Sequence, residues 1–297
     1  MKKIDNVQEV TDRWQYIMLA VAIFLAIIFC CYYIISQSRW GFYTAGGPVR
    51  QQANVLGADE STPSEVDGAN DTGEMQPEKD ETESDAEPEI TKRAYLTFDD
   101  GPSGNTVEIL DILDKYDVKA TFFVTNGKPD YQNLIAEEAS RGHTVAIHSA
   151  SHDYSRIYQS VDAYFDDLNE MNNIILTQTG KYADIIRFPG GSSNTVSRSY
   201  CEGIMSQLVC AVEAKGFRYC DWNVSSGDAG SANTASQVIC NVINGIKGRN
   251  ISIVLQHDIK KFSVDAVEEI IQWGLSEGYT FLPITSTTPM SHHGINN

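Results

Sequence analysis

From Arg93 onward the chain alternates short apolar runs with longer segments of helical periodicity, and this alternation constrains the fold more than any other feature. Residues 94–98, 120–125, 144–147, 184–188, 218–224, 251–255 and 279–283 read as strands. Between them, residues 106–116, 131–141, 161–179, 199–215, 234–246 and 264–277 read as helices; the first shows Val107, Leu110, Leu113 and Tyr116 at helical spacing. Strands alternating with helices predict parallel βα units, in a barrel or an open sheet. About seven units favour a small α/β domain, a (β/α) barrel, closed or incomplete. No repeat of fixed period is visible.

The polar residues gather where the predicted strands end, the end at which parallel α/β folds place their active sites. TFDDGP (residues 97–102) follows the first strand, and HSASH (148–152), RFPGGS (187–192), DWNVSSGD (221–228) and LQHD (255–258) follow later ones. His148 and His152 are spaced as on one side of a helical turn, within reach of one metal ion. Such a pair alone is more often structural. Two His with one carboxylate, however, form a common catalytic zinc set that leaves positions open for water and substrate. Asp99 and Asp100 in isolation could be a turn or a helix cap. Side by side at a strand end they point in different directions, so that one can bind metal while the other serves as base for the attacking water. Arg187 lies between apolar neighbours and needs a carboxylate partner, for which Asp99 is the natural choice. Gly190 and Gly191 allow close backbone approach, so that an N–H there can act as an oxyanion donor. His257 ends an apolar run; alone it reads as structural, but in this company it is the candidate general acid.

The N-terminal third has a different character. Residues 17–35 carry no charge and, at about 1.5 Å per residue, just span a bilayer core of about 30 Å. The run ends in Cys-Cys-Tyr-Tyr-Ile-Ile rather than a small-residue cleavage site, which predicts a retained signal anchor over residues 17–36 after a cytoplasmic segment, 1–16. Residues 37–92 read as an acidic, disordered stalk, because 59–89 hold 13 Asp or Glu against Lys79 alone. Residues 93–297 would then be the catalytic domain. The net charge of −18 and the lack of a basic stripe exclude nucleic acid as a partner. Of the six cysteines, Cys201, Cys210, Cys220 and Cys240 fall in the globular part without C-x-x-C spacing, which argues against structural zinc. An exported domain would permit disulfides among them, with pairing left open. His292 and His293, with no carboxylate near them in the sequence, read as a surface or packing feature rather than a metal site.

TFDDGP, H-S-x-x-H, R-x-P-G-G and L-x-H, in this order, resemble the polysaccharide deacetylases of carbohydrate esterase family 4, the nodulation-protein-B-type homology domain, over about residues 92–285. The resemblance implies a distorted (β/α) barrel that removes acetyl groups from N-acetylated sugars. It implies Asp99 as base, Asp100, His148 and His152 as metal ligands, and Arg187 as the residue orienting Asp99. Gly190 would supply the oxyanion N–H, His257 the acid and Leu255 the pocket for the acetyl methyl. Asp228 falls where a carboxylate pairs with the catalytic His. The implied cofactor is a divalent metal, zinc first, with cobalt, nickel or manganese as alternatives. Three positions depart from the pattern: Asp153 stands where the family usually has Pro, Gly190-Gly191 where many members have Tyr-Gly, and Ala229 where Trp is frequent, a loss that Trp222 could offset. An anchor, a stalk and a carbohydrate deacetylase together imply a single-pass membrane protein. Its catalytic domain would be extracellular and would act on the N-acetylglucosamine of peptidoglycan, with the bilayer engaged through residues 17–36. The alternatives are an O-acetyl or chitin-type oligosaccharide esterase or deacetylase, and a non-catalytic glycan-binding relative. The latter would have lost one of Asp99, Asp100, His148, His152 or His257, and none is lost. A phosphate hydrolase would need an Asp-x-Asp nucleophile and a later strand-end Lys, neither of which is present.

Overall fold

In the computed structural model, residues 91–297 are described. The expected cytoplasmic segment, the anchor and all but the last two residues of the expected stalk lie outside them. Among the described residues no helix is long and apolar enough to cross a membrane.

The strands are β1 (Arg93–Asp99), β2 (Thr121–Thr125), β3 (Thr144–Ser149), β4 (Ile185–Ile186), β5 (Arg218–Tyr219), β6 (Val224–Ser225), β7 (Ile251–His257) and β8 (Thr280–Phe281). They form one eight-stranded sheet in the order β5-β4-β3-β2-β1-β7-β6, with β8 also on β1. Every ladder is parallel. β1 pairs with β7 along its whole length, while its other edge takes β8 at Arg93–Ala94 and β2 at Thr97–Asp99.

The outermost strands, β5 and β6, are consecutive in the chain. The sheet is therefore a curled parallel half-barrel whose two ends are carried by one short segment. The single strand expected over 218–224 is split because the segment changes partner midway. Cys220 N–H still reaches Ile186 O at 2.9 Å, whereas Asn223 N–H reaches Ile253 O at 3.1 Å. The C-terminal tail lies against this crossing. Asp221 N–H donates to Ser291 O at 2.8 Å, and His292 stacks on Tyr219 with centroids 3.9 Å apart. Of the two readings of His292 and His293, surface or packing, the structure shows packing, and a carboxylate distant in sequence is near in space: His293 N–H donates to Asp221 Oδ2 at 2.8 Å.

Because side chains alternate along a strand, the sheet has two faces of different character. Leu96, Phe98, Phe122, Val124, Ile147, Ile186 and Val254 point out and join the main core under the helices. Tyr95, Phe123, Ala146, Ile185, Cys220, Ile253 and the post-β8 residue Ile284 fill the inside with a smaller cluster. Two residues further along the same strands, the inward positions are Thr97, His148, Arg187 and Leu255, and β1 and β7 then end on Asp99 and His257.

The helices are α1 (Thr106–Lys115), α2 (Leu134–Ser140), α3 (Tyr154–Ile157), α4 (Val161–Thr179), α5 (Ile204–Ala214), α6 (Ala235–Ile246), α7 (Lys261–Val264) and α8 (Val267–Ser276). α4 is bounded by its own sequence: the Ser160 hydroxyl accepts from Ala163 N–H, and Gly180 stops it in the left-handed conformation at φ 77°. Three expected helices are interrupted. Residues 131–141 divide into a 3-10 turn, Pro129–Tyr131, and α2. In 199–215 the 3-10 turn Ser197–Ser199 gives way at Gly203, φ 74°, to α5. The segment 264–277 begins inside α7 and continues as α8. The four cysteines are free thiols.

Candidate active site

Asp99 closes β1 in a buried position, and its Oδ1 lies 2.7 Å from Arg187 Nη1. Arg187, fully buried, also donates from Nη1 to Thr97 Oγ1 at 2.7 Å, from Nε to Cys220 O at 2.9 Å and from Nη2 to Asp221 O at 3.1 Å. Its guanidinium sits 4.0 Å from the Phe123 ring centroid. A planar fork satisfied on every side fixes the carboxylate it holds. Burial pushes the Asp99 pKa up, and Arg187 and His257 pull it down without cancelling the rise. The result is a carboxylate more basic than an ordinary Asp.

Asp100, next along, has φ 69°, which turns its side chain away from that of Asp99. Its Oδ1 lies 3.4 Å from His152 Nε2 and 3.7 Å from His148 Nε2. The three ligand atoms lie within 4.8 Å of one another. Asp100 Oδ1 is buried without a hydrogen-bond partner. His148 Nδ1 lies 2.8 Å from Arg187 O, and a carbonyl can only accept, so Nδ1 carries the proton and the Nε2 lone pair faces Asp100. Burial, opposed by the Asp100 charge, lowers the His148 pKa to about 3, which keeps the ring neutral. An orphaned carboxylate oxygen facing an imidazole lone pair is unfavourable without a cation, so these residues fit a divalent ion. Two imidazoles and one carboxylate are a donor set typical of zinc.

The two His do not share a helical turn as their spacing suggested. His148 is on β3, and His152 is in the following loop at φ 51°. What brings them together is Asp167 of α4, whose carboxylate accepts from Ser149 Oγ (2.5 Å), Ala150 N–H (2.8 Å) and Ser151 N–H (2.9 Å). Ser149 Oγ in turn accepts from His152 N–H at 2.9 Å. Asp258 lies under the Asp100 turn: its N–H donates to Asp99 O at 3.0 Å, its carboxylate accepts from Thr106 Oγ1 at 2.6 Å, and a Cβ on Gly101 would come within 2.9 Å of its Cγ. Sequence reasoning missed Thr97, Asp167 and Asp258. For Asp167 a signal exists, since it lies on the apolar stripe of α4 formed by Tyr164, Leu168 and Met171.

His257 ends β7 in register with Asp99. Its Nδ1 lies 2.8 Å from Asp228 Oδ1, and its N–H donates to Asp228 Oδ2 at 2.7 Å. Burial alone would lower the His257 pKa, but the Asp228 bond and the charges of Asp99 and Asp228 outweigh it and the net shift is upward. Leu255, two residues earlier, shares the face of His257. Gly190 is exposed at φ 78°, and its N–H makes no hydrogen bond within the described residues. Trp222 packs against Gly191, where a Cβ would meet its ring at 2.9 Å, and lies 5.7 Å from the Arg187 guanidinium. Asp153, the residue in place of Pro, caps α3 by accepting from Ser155 N–H. Ala229 is exposed.

A basic carboxylate and a protonatable His–Asp pair on neighbouring strand ends, with a possible metal site beside them, belong to a hydrolase. The family profile described as polysaccharide deacetylase matches residues 86–204. The chain is 32% identical over 200 residues to a peptidoglycan-N-acetylglucosamine deacetylase of Bacillus cereus, covering 64% of this chain and 68% of that protein. It is 29% identical to a putative polysaccharide deacetylase of Bacillus subtilis, with coverage of 68% and 70%. Among solved structures, the catalytic domain of a peptidoglycan N-acetylglucosamine deacetylase from Eubacterium rectale matches with 67% identity and a TM-score of 0.69, over 69% of this chain and 94% of that one. A polysaccharide deacetylase from Bacillus cereus matches with 31% identity and a TM-score of 0.59, over 69% and 96%. The chain belongs to the polysaccharide deacetylases of carbohydrate esterase family 4, enzymes that hydrolyse amide bonds.

Proposed function

We propose that this protein removes N-acetyl groups from N-acetylglucosamine in peptidoglycan, with a divalent ion, zinc by its donor set, held by Asp100, His148 and His152. One observation carries the reading: Asp99, fixed by Arg187, and His257, fixed by Asp228, end neighbouring strands in register beside the Asp100–His148–His152 cluster. The ion would polarise the acetyl carbonyl and acidify the attacking water. Asp99 takes the proton of that water, Arg187 holds Asp99 in line, and His257 gives a proton to the departing amine. Asp228 keeps His257 protonated and oriented. Gly190 N–H faces the oxyanion, Leu255 receives the acetyl methyl, and Trp222 walls the sugar side.

The substrate follows from the name of the similar Eubacterium and Bacillus proteins together with the expected anchor over residues 17–36 and stalk over 37–92, which would hold the domain over 93–297 outside the membrane and near the wall. Protease added to intact, wall-stripped cells is expected to release a soluble fragment beginning in the stalk; release only after lysis sinks that topology. For the chemistry, Asp99→Asn should keep its bound metal and lose activity on acetylated muropeptides by about 10²- to 10⁴-fold. Metal lost from Asp99→Asn and kept by Asp100→Asn would reverse the two roles. Acetate released from O-acetylated sugars alone would favour the esterase alternative.

A further inference from the structure

Tyr154 opens α3 two residues after His152, and its direction is fixed on several sides. The Asp153 carboxylate accepts from Ser155 N–H at 2.9 Å and from Ser155 Oγ at 2.7 Å, which sets the first turn. The ring lies edge-on to His152, centroids 5.6 Å apart, and to Tyr158, centroids 5.4 Å apart. So held, its hydroxyl reaches the loop after β4. A Cβ built on Gly190 would lie 2.5 Å from the Tyr154 oxygen and 3.4 Å from Cζ. The hydroxyl thus occupies the space in which a side chain at residue 190 would begin.

The polar accounting makes this placement informative. Tyr158, one turn further on, donates its hydroxyl to Pro189 O at 2.7 Å. The Tyr154 hydroxyl makes no hydrogen bond within the described residues, and neither does the neighbouring Gly190 N–H. A phenol holds its proton at neutral pH, and a packed tyrosine normally finds an acceptor. Two unspent donors therefore meet at residue 190, one of them on a ring that packs against His152. The N–H can only donate, so an atom shared by both must be an acceptor with two lone pairs, as a carbonyl or carboxylate oxygen is. Donors converging on one oxygen are what a developing tetrahedral oxyanion requires.

We infer that the Tyr154 hydroxyl is a substrate-contacting residue that donates, together with Gly190 N–H, to the carbonyl oxygen of the acetyl group; this rests on the deacetylase reading above. It also accounts for glycine at 190, where a larger residue would displace the hydroxyl.

Tyr154→Phe in the full-length protein keeps both ring contacts and removes only the donor. Its metal content and thermal midpoint should match the wild type. Its kcat/KM should fall about 10²-fold, alike for an N-acetylglucosamine oligomer and for a small acetyl ester lacking the sugar. The affinity for acetate, measured calorimetrically as a probe of the carbonyl site, should weaken in parallel. Unchanged kcat/KM and acetate affinity in an active protein overturn the inference alone, and so does a loss confined to the oligomer. A wild type that releases no acetate from any acetylated sugar overturns the deacetylase reading and this inference with it. Should Tyr154→Phe lower the thermal midpoint, Gly190→Ala gives a second arm: its methyl pushes the hydroxyl aside, so that acetate affinity at the wild-type level there is equally fatal.

Discussion

Two buried histidines at opposite ends of β3 show what leaves an imidazole lone pair free to take a cation. His148 lies near the strand's C-terminal end, inside the candidate site; His143 immediately precedes the strand at the opposite end. Both are depressed by burial first, His148 to about 3 and His143 to about 4, so both are neutral. They differ in what the backbone offers at Nδ1. His148 Nδ1–H faces a carbonyl, Arg187 O, which leaves the Nε2 lone pair open toward Asp100. His143 Nδ1 accepts from Ala120 N–H at 3.2 Å, which places the proton on Nε2, a buried donor without an acceptor. One ring can bind a cation; the other cannot without changing tautomer. Burial and residue type are shared, so neither identifies a metal ligand. The main-chain group behind the ring decides which nitrogen keeps a free lone pair.

The strongest test of this contrast is metal content. His148→Ala is expected to lose the ion and with it essentially all deacetylation, while His143→Phe keeps stoichiometric metal by mass spectrometry of the native protein. Equal metal loss in both variants would break the comparison. A smaller effect is expected on the acid side of the site. Asp228 raises the His257 pKa, and a general acid works only while protonated, so kcat falls as pH rises through that pKa. Asp228→Asn should move this alkaline limb to lower pH; a limb that stays in place would mean that His257 is not the acid. The smallest effect is on stability. The folded-state pKa of His143 is depressed from 6.5 to about 4, so the unfolded chain binds more protons in that window and stability falls as pH drops through it, by about 3 kcal/mol in all. His143→Phe should cost about 1–3 kcal/mol near neutrality, because Ala120 N–H loses its acceptor. It should also flatten the loss of stability between pH 6.5 and 4 in urea titrations. An unchanged slope would show that His143 is not buried neutral.

The same contrast explains how far the sequence can be read. Asp99, Asp100, His148, Arg187 and His257 are legible because each ends or closely follows an apolar run, and strand ends on one side of a parallel sheet converge. Leu255 and Asp228 draw their expected roles from the family pattern, since nothing in their spacing alone distinguishes them, whereas the Gly190-Gly191 pair is legible by its lack of side chains. The tautomer of His148 is invisible in the sequence, because it depends on a carbonyl 39 positions away. So is the reach of Tyr154, which depends on the loop after β4. The division of 218–224 between two ladders also escapes periodicity analysis, because a strand that changes partner keeps its apolar pattern while losing its continuity. Helices 131–141, 199–215 and 264–277 look continuous by apolar spacing, and only local breaks such as the 3-10 turn at Pro129 and the left-handed Gly203 separate their turns.

The placement of β1 in the middle of the sheet has a consequence for biosynthesis. Its ladders join residues 93–99 to residues 251–257 and 280–281, so its neighbours on one edge and at its start leave the ribosome long after β1 itself. Closing such distant pairs is slow, since loop entropy must be overcome before any contact rewards it. A nascent chain ending before Ile251 carries Asp99 on a strand with one edge open and holds no His257 to oppose it. With His257 as the acid, products interrupted or clipped before β7 should be hydrolytically silent rather than partly active.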